Sequence, residues 1–382
     1  MTRNADVVII GGGIIGLAVA FNLAKFKFGK IVIVEKEMFL GAGATSKCAG
    51  GIRAQFFSKP NIEMSMKSEE ILANFEEITG YPAIFNQCGY MFLLSDENEL
   101  ASFSKAVELQ QSLGLKVELI EPDQINKLAP EVKTDDILKA TFCAQDGLAD
   151  PNDLIQGYAS ASRNLGVEIL VETEVTEVKT DNNSIIGITT NKGNIDCPLI
   201  INAAGPYAKV IAEMAGTSIP VEPVRRQIVT TAALDFVGPE FPMVVDVKSG
   251  LYFHREAPGL LLGWADSSVK PAFDESVDPA YSDNIIMKAL DRIPVLETAG
   301  VSNSWAGLYE ITPDHTAIIG PSSEIKGLYH INGFSGHGLM HAPGAGLVAA
   351  EAICGKDTSL DIRPLAEKRF ESGVISEETN II

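Results

Sequence analysis

Asp6-Val7-Val8-Ile9-Ile10-Gly11-Gly12-Gly13-Ile14-Ile15-Gly16 is the stretch whose reading decides the fold. Residues 6–10 are apolar and rich in β-branched types, which predicts a short buried strand. Gly11, Gly13 and Gly16 fit G-x-G-x-x-G. Residues 17–26 carry a helical pattern, with Gly29 as a stop. Ile31-Val32-Ile33-Val34 predicts a second buried strand, and Glu35 follows it. Each part has a physical task. Gly11 permits a tight turn. Gly13 has no side chain to keep a pyrophosphate from the helix N-terminus, and Gly16 lets the helix approach the strand. Glu35, 24 positions after Gly11, can accept hydrogen bonds from ribose hydroxyls and would repel a 2′-phosphate. A purely structural glycine turn is the bland alternative. Strand, glycines, helix, strand and acid in that order favour a dinucleotide site. These residues alone do not separate a nicotinamide from a flavin dinucleotide.

The length of 382 residues suggests two domains, or one large domain with an insertion. The hydrophobic content of 46% allows a good core, and the net charge of −20 makes nucleic acid and anionic membrane poor partners. No run of 18 apolar residues predicts a membrane span. The first strand starts by residue 6, leaving no room for a signal peptide, so a cytoplasmic location is expected. The cysteines are Cys48, Cys88, Cys143, Cys197 and Cys354. Their odd number and the lack of C-x-x-C argue against a disulfide framework or a metal site. Cys48 stands out because its surroundings are glycine-rich.

Residues 41–53 read Gly-Ala-Gly-Ala-Thr-Ser-Lys-Cys-Ala-Gly-Gly-Ile-Arg. Small residues let the backbone approach a ligand closely, so this is read as a cofactor-lining segment rather than a surface loop. Arg53 has a fork of donors suited to a carboxylate or phosphate; a surface ion pair is its plain alternative. Residues 60–80 predict one amphipathic helix, 89–94 a strand, 96–113 a second helix, and 122–125 the start of a third. Asp150 is placed to cap a helix over 151–165, with Pro151 at its first position. Strands are predicted at 166–170, 175–178, 185–190 and 199–206. Their spacing suggests βαβ units in which the nucleotide-binding domain resumes. Residues 221–233 and 243–263 are strand-rich, with a hairpin around Ala257-Pro258. A strand over 328–332 runs into Gly333-Phe334-Ser335-Gly336-His337-Gly338, and a helix is predicted over 342–354. Residues 370–382 look like a polar, loosely held tail.

Together the N-terminal fingerprint ending in Glu35 and residues 147–151, 202–206, 305–314 and 333–338 resemble the D-amino-acid-oxidase-like family of FAD-dependent amine oxidoreductases. Sarcosine oxidase β-subunits and dye-linked L-proline dehydrogenase β-subunits are the most similar in pattern. The resemblance covers nearly the whole chain. It implies an α/β fold in two parts: a discontinuous Rossmann-like FAD-binding domain (1–80, 141–220 and 320–382) and a substrate domain (81–140 and 221–319) on a mostly antiparallel sheet with helices.

Carried over by motif, Gly11, Gly13, Gly16 and Glu35, with Lys36, hold the ADP half of FAD. Thr45, Ser46 and Lys47 match a segment beside the pyrophosphate and flavin. Val175 matches a backbone position at the adenine, and Ala203 and Gly205 a loop over the ADP. Gly336, His337, Gly338, Leu339 and Met340 match the turn that meets the flavin ring. Gly307 stands where members with covalent flavin carry the linking cysteine. His254, His315, His330, His337 and His341 all lie outside the first half, where some β-subunits link FMN to histidine. Both features imply non-covalent FAD. Met340 stands where many sarcosine oxidases place a lysine that aids reaction with oxygen, which implies another electron acceptor, or an α-subunit, as partner.

The implied reaction moves a hydride from the carbon next to nitrogen of a secondary-amine amino acid (sarcosine or L-proline type) to flavin N5, giving an imine. Glycine or D-amino acid oxidation with peroxide release is one alternative, and an electron-relay subunit of a larger complex is another. Arg53 is the first choice for a carboxylate clamp and Arg255 the second. Tyr252, His254 and Tyr309 are pocket candidates, each with a plain alternative as a packed ring. His315 is read as structural, and His337 as acting through its backbone.

Overall fold

Val7–Ile10 and Ile31–Val34 are buried at every position, so each strand must be covered on both faces. They form the centre of a six-stranded sheet in the computed structural model, which describes residues 3–371 and Glu378. The order is Glu168–Leu170, Ile31–Val34, Val7–Ile10, Ile200–Asn202, Leu328–Asn332 and Ile318–Pro321. The first five strands are parallel and the last is antiparallel. Helices Ile14–Lys25, Pro151–Asn164 and Gly338–Ile353 pack together on one face. Small residues set their spacing: a side chain at Gly346 would overlap the backbone of Ala18, and one at Gly16 would overlap the Gly11 carbonyl oxygen.

The second layer is an eight-stranded sheet. Its order is Val301–Ile311, Glu222–Thr231, Gly259–Trp264, Leu251–Glu256, Met243–Asp246, Tyr90–Leu94, Lys139–Cys143 and Val117–Ile120. Among its pairs, only Met243–Asp246 with Tyr90–Leu94 is parallel. Alternation along the strands gives two different faces. Met91, Leu93, Val244, Phe253 and Leu262 pack on one side with Tyr281 and Ile285 of the helix Pro279–Arg292. Tyr90, Phe92, Met243, Tyr252, Leu261 and Ile228 lie on the other.

The α/β expectation holds, with corrections. Residues 175–190 do not build βαβ units. Val175–Asp181, Ser184–Thr190 and Gly193–Asp196 are antiparallel neighbours in a separate four-stranded sheet completed by Arg3–Asn4. Two-residue turns at 182–183 and 191–192 leave no room for a crossover helix. Residues 60–80 form two helices, Lys59–Ala73 and Phe75–Thr79, because Asn74 leaves helical geometry and bonds back to the Glu70 carbonyl. The strand Lys139–Cys143 belongs to the eight-stranded sheet, so the division drawn at 140/141 falls inside it. The C-terminal helix begins at Gly338, four residues before the expected start, directly out of the glycine turn. The expected loose tail lies mostly outside the described residues, but Glu378 is fully buried. Its carboxylate accepts from Phe57 N–H, Ser58 N–H and Asn61 Nδ2, at the start of the helix Lys59–Ala73.

One residue ties the layers together. Glu310, at the end of the strand Val301–Ile311, accepts from Gly333 N–H at 3.0 Å, and its own carbonyl accepts from Ser335 N–H at 3.0 Å. Burial raises its carboxyl from 4.5 to about 7, opposed by the bonds from Gly333 and Phe334. The folded state therefore binds more protons than the unfolded chain between those values, and stability from this group falls as pH rises through the window. Glu310→Gln keeps an acceptor for Gly333 and removes the titration. The stability of wild type relative to the variant should drop by on the order of 1–3 kcal/mol between pH 4.5 and 7, measured by urea unfolding. A pH-independent difference would contradict this. Gly16→Ala should cost about 1–3 kcal/mol of stability by forcing the helix from its strand, read as a lowered melting temperature.

Candidate active site

The two layers leave a cleft of about 1210 Å³, partly open to solvent. One wall is the first strand–turn–helix. Gly11 adopts φ +113° and packs on the Ala203 carbonyl, a place only glycine fills without strain. Gly13 is the N-cap of Ile14–Lys25 and offers no capping side chain, nor is there an acid in the first turn. Space above Gly13 is bounded only by Thr45 Oγ1, which also accepts from Ile14 N–H at 3.3 Å. Glu35 holds a fixed pose: its carboxylate accepts from Gly12 N–H at 2.7 Å and Glu37 N–H at 2.9 Å. Lys36 lies 3.4 Å from the centre of the Tyr207 ring.

The opposite end is the second glycine turn. Gly336, at φ +96°, lies against the Tyr309 ring. His337 is the N-cap of Gly338–Ile353 and, again, no side chain caps that helix. Gly338 and Leu339 line the cleft with Ala203, Gly205, Gly307, Thr45 and Lys47. Two helix starts therefore face one elongated space with a fixed acid at the far end. That arrangement fits a dinucleotide: N–H groups and helix dipoles for the anionic parts, and a carboxylate for the ribose.

A smaller chamber of about 470 Å³ opens beside the second turn. Arg53, Tyr90, Met243, Tyr252, Tyr309, His337 and Met340 are among its walls, and none of the described lining residues is a carboxylate. Tyr252 sits here because its cross-strand partner is Gly263; a side chain at Gly263 would overlap the Tyr252 ring. Burial raises the Tyr252 and Tyr309 hydroxyls above their ordinary range, and the Arg226 guanidinium opposes the rise in both. Burial pushes Tyr90 up to about 12, opposed first by Arg53. Arg53 is 1% exposed; it donates to the Gln55 carbonyl at 2.5 Å, meets His337 Nε2 at 3.3 Å, and lies 4.0 Å from the Phe56 ring centre. Guanidinium only donates, so His337 Nε2 accepts and its proton sits on Nδ1. Burial, with Arg53 adding to it, holds His337 well below its usual value, so the ring is neutral.

Of the residues expected from the sequence, Gly11, Gly13, Glu35, Lys36, Thr45, Lys47, Ala203, Gly205, Gly307, Gly336, Gly338, Leu339, Tyr252 and Tyr309 line the large cleft. Arg53, His337 and Met340 line the side chamber. Others stand elsewhere. Gly16 is beneath the helix, where only its lack of a side chain acts. The Val175 side chain is buried in the core, and the expectation there concerns its backbone. Ser46, His254 and Arg255 open onto a separate crevice with Asp150, Glu256 and Trp305. His254 shares a face with Tyr252, but two residues along a strand is about 6.6 Å, enough to carry it past the chamber. Its Nδ1 bonds the Arg255 carbonyl, and burial lowers its pKa to about 4. His315 takes positive φ beside the buried Asp314. Sequence reading missed Arg226, Tyr207, Glu275 and Tyr90. Only the i, i+2 alternation of Arg226 with Ile228 could have hinted at a shared face. Cys48 borders all three spaces, and burial raises its thiol to about 11, so it is not a thiolate at neutral pH.

No helix among the described residues is long and apolar enough to cross a membrane, and no cluster there could hold a metal ion. Comparison with known proteins adds an independent line. The family described as FAD dependent oxidoreductase (DAO) matches residues 6–352. FAD-dependent oxidoreductase domain-containing protein 1 of Bos taurus is 30% identical over an alignment spanning 100% of this chain and 87% of that protein. Mitochondrial dimethylglycine dehydrogenase of Rattus norvegicus is 28% identical across 98% of this chain but only 46% of its own length. The crystal structure of L-proline dehydrogenase from P. horikoshii superposes with a TM-score of 0.92 at 33% identity, covering 98% of this chain and 100% of that one. Two helix starts and a fixed acid around one cleft agree with this match: the chain belongs to the DAO family of FAD-dependent oxidoreductases.

Proposed function

We propose that this chain oxidises a secondary-amine amino acid of the sarcosine or L-proline type to an imine, with non-covalent FAD. The observation that carries the reading is the side chamber, whose described lining holds the buried Tyr90 and Tyr252, the half-buried Tyr309, the buried Arg53 and no carboxylate. Relatives named for L-proline and dimethylglycine, both substituted amines, support it. Gly11, Gly13, Glu35 and Thr45 would hold the adenine and pyrophosphate end of FAD, and Gly336, Gly338 and Leu339 the ring end.

FAD, when bound, supplies the hydride acceptor. The chain's own residues do the rest. Arg53 receives the substrate carboxylate through its fork of donors. Tyr90, Tyr252 and Tyr309 wall the amine with ring faces and exclude water. No carboxylate among the described lining residues stabilises an ammonium, so the chamber favours the neutral amine that can release hydride. The uncapped start of Gly338–Ile353 presents a positive dipole end where negative charge gathers. Met340 brings no charge to the chamber, which supports electron transfer to an acceptor other than oxygen. A partner subunit is one form that acceptor takes.

Anaerobic addition of N-methyl and cyclic amino acids should bleach the flavin absorbance of the holoenzyme, with L-proline or sarcosine most effective. Air should restore the colour slowly and with little peroxide. If none of the panel bleaches the flavin, amine oxidation by this chain is wrong. Arg53→Ala should raise the KM for the active amine roughly tenfold or more while FAD stays bound. Loss of FAD from that variant would move Arg53 to the cofactor's shell.

A further inference from the structure

Arg225 and Arg226 are neighbours on the strand Glu222–Thr231 and point to opposite faces. Arg225 has its anions: it donates to Asp274 at 2.8 Å and to Asp278 at 3.4 Å. Arg226 has none. It is 9% exposed and lines the large cleft beside Ile228, Tyr252 and Tyr309. Its guanidinium carbon stands 5.3 Å from the Tyr309 ring centre. One terminal nitrogen donates to the Arg225 carbonyl at 3.0 Å. Its Nε is buried with no hydrogen-bond partner, and the residue joins no ion pair among the described residues.

Other arginines withdrawn from solvent have partners. Arg292 pairs with Asp136 and Asp246, the half-buried Arg369 pairs with Asp314, and Arg53 donates to the Gln55 carbonyl and meets His337. The four acids on the cleft wall are Glu35, Glu37, Glu275 and Glu310. Glu35 accepts from Gly12 and Glu37 N–H groups, Glu37 is near Lys36 at 3.7 Å, Glu275 pairs with Lys47 at 2.7 Å, and Glu310 accepts from Gly333. None is Arg226's partner. A cation removed from water with an unused donor is unfavourable until something brings it an anion.

We propose that Arg226 is an anion-receiving residue of the cleft, completed by the charged oxygens of a bound ligand. Two ligands carry that chemistry: a substrate carboxylate lying across Tyr252 and Tyr309, and the phosphate or ring oxygens of FAD. The inference rests on the cleft alone and holds whichever amine is oxidised.

Two measurements on the holoenzyme separate the sources. Acetate and malonate are titrated against the flavin absorbance, and FAD release on dilution is followed by flavin fluorescence. Arg226→Gln should weaken one of these interactions roughly tenfold or more. Weaker binding of the carboxylates with unchanged FAD release assigns the site to substrate. Faster FAD release with unchanged carboxylate affinity assigns it to the cofactor. Arg226→Lys, which keeps the charge and loses the fork, should recover part of the lost affinity, and it carries the same measurements if the glutamine variant does not fold. Carboxylate affinity and FAD release both unchanged in a folded variant would overturn the proposal. None of these readings requires turnover, so a failed amine panel leaves the test intact.

Discussion

The first turns of Ile14–Lys25 and Gly338–Ile353 face the same cleft, and neither is capped by the side chain of its own N-cap residue. A helix start without a cap carries N–H groups and a positive dipole end that need an anion. By contrast, Glu97–Ser112 closes its own start with a full capping box from Asp96 and Glu99. The parallel sheet, with Val7–Ile10 beside Ile200–Asn202 and Leu328–Asn332, is what brings starts more than 300 positions apart to one edge.

Around that constraint the eight-stranded sheet supplies chemistry by alternation. Its inner face presents Tyr90, Tyr252, Tyr309 and Arg226 toward the cleft and side chamber, and its outer face is an ordinary apolar core. Glycines make the aromatic face possible. Gly263 lies under the Tyr252 ring and Gly336 against the Tyr309 ring. Glu310 then couples this sheet to the second glycine turn through Gly333 and Ser335. The carboxyl sits near neutrality, so the link between the layers is itself sensitive to pH.

Misread residues share a cause. His254 was grouped with Tyr252 as a pocket candidate, yet distance along the strand decides what a side chain meets. His254 lies one repeat past Tyr252 and opens onto a separate crevice. Arg226 drew no notice because a charged residue in a strand looks like a solvated face. Only its burial and its lack of an ion pair among the described residues distinguish it from Arg225 next door. Glu378, in a polar tail, is buried because the start of the helix Lys59–Ala73 draws its carboxylate, a long-range match that no local pattern reveals.

Sequence by itself determined the two strand–glycine–helix units, the acid at Glu35 and, through them, a dinucleotide site, with the family resemblance implying flavin. Those features are local: strand burial, glycine conformation and cap chemistry act over a few residues and leave marks in their order. Tertiary structure alone decided which side chains share the chamber, that His254 is excluded from it, and that Arg226 enters the cleft without an anion. These depend on cross-strand register and on contacts between residues far apart in the chain, where shifting one strand by a single residue would reverse every side chain.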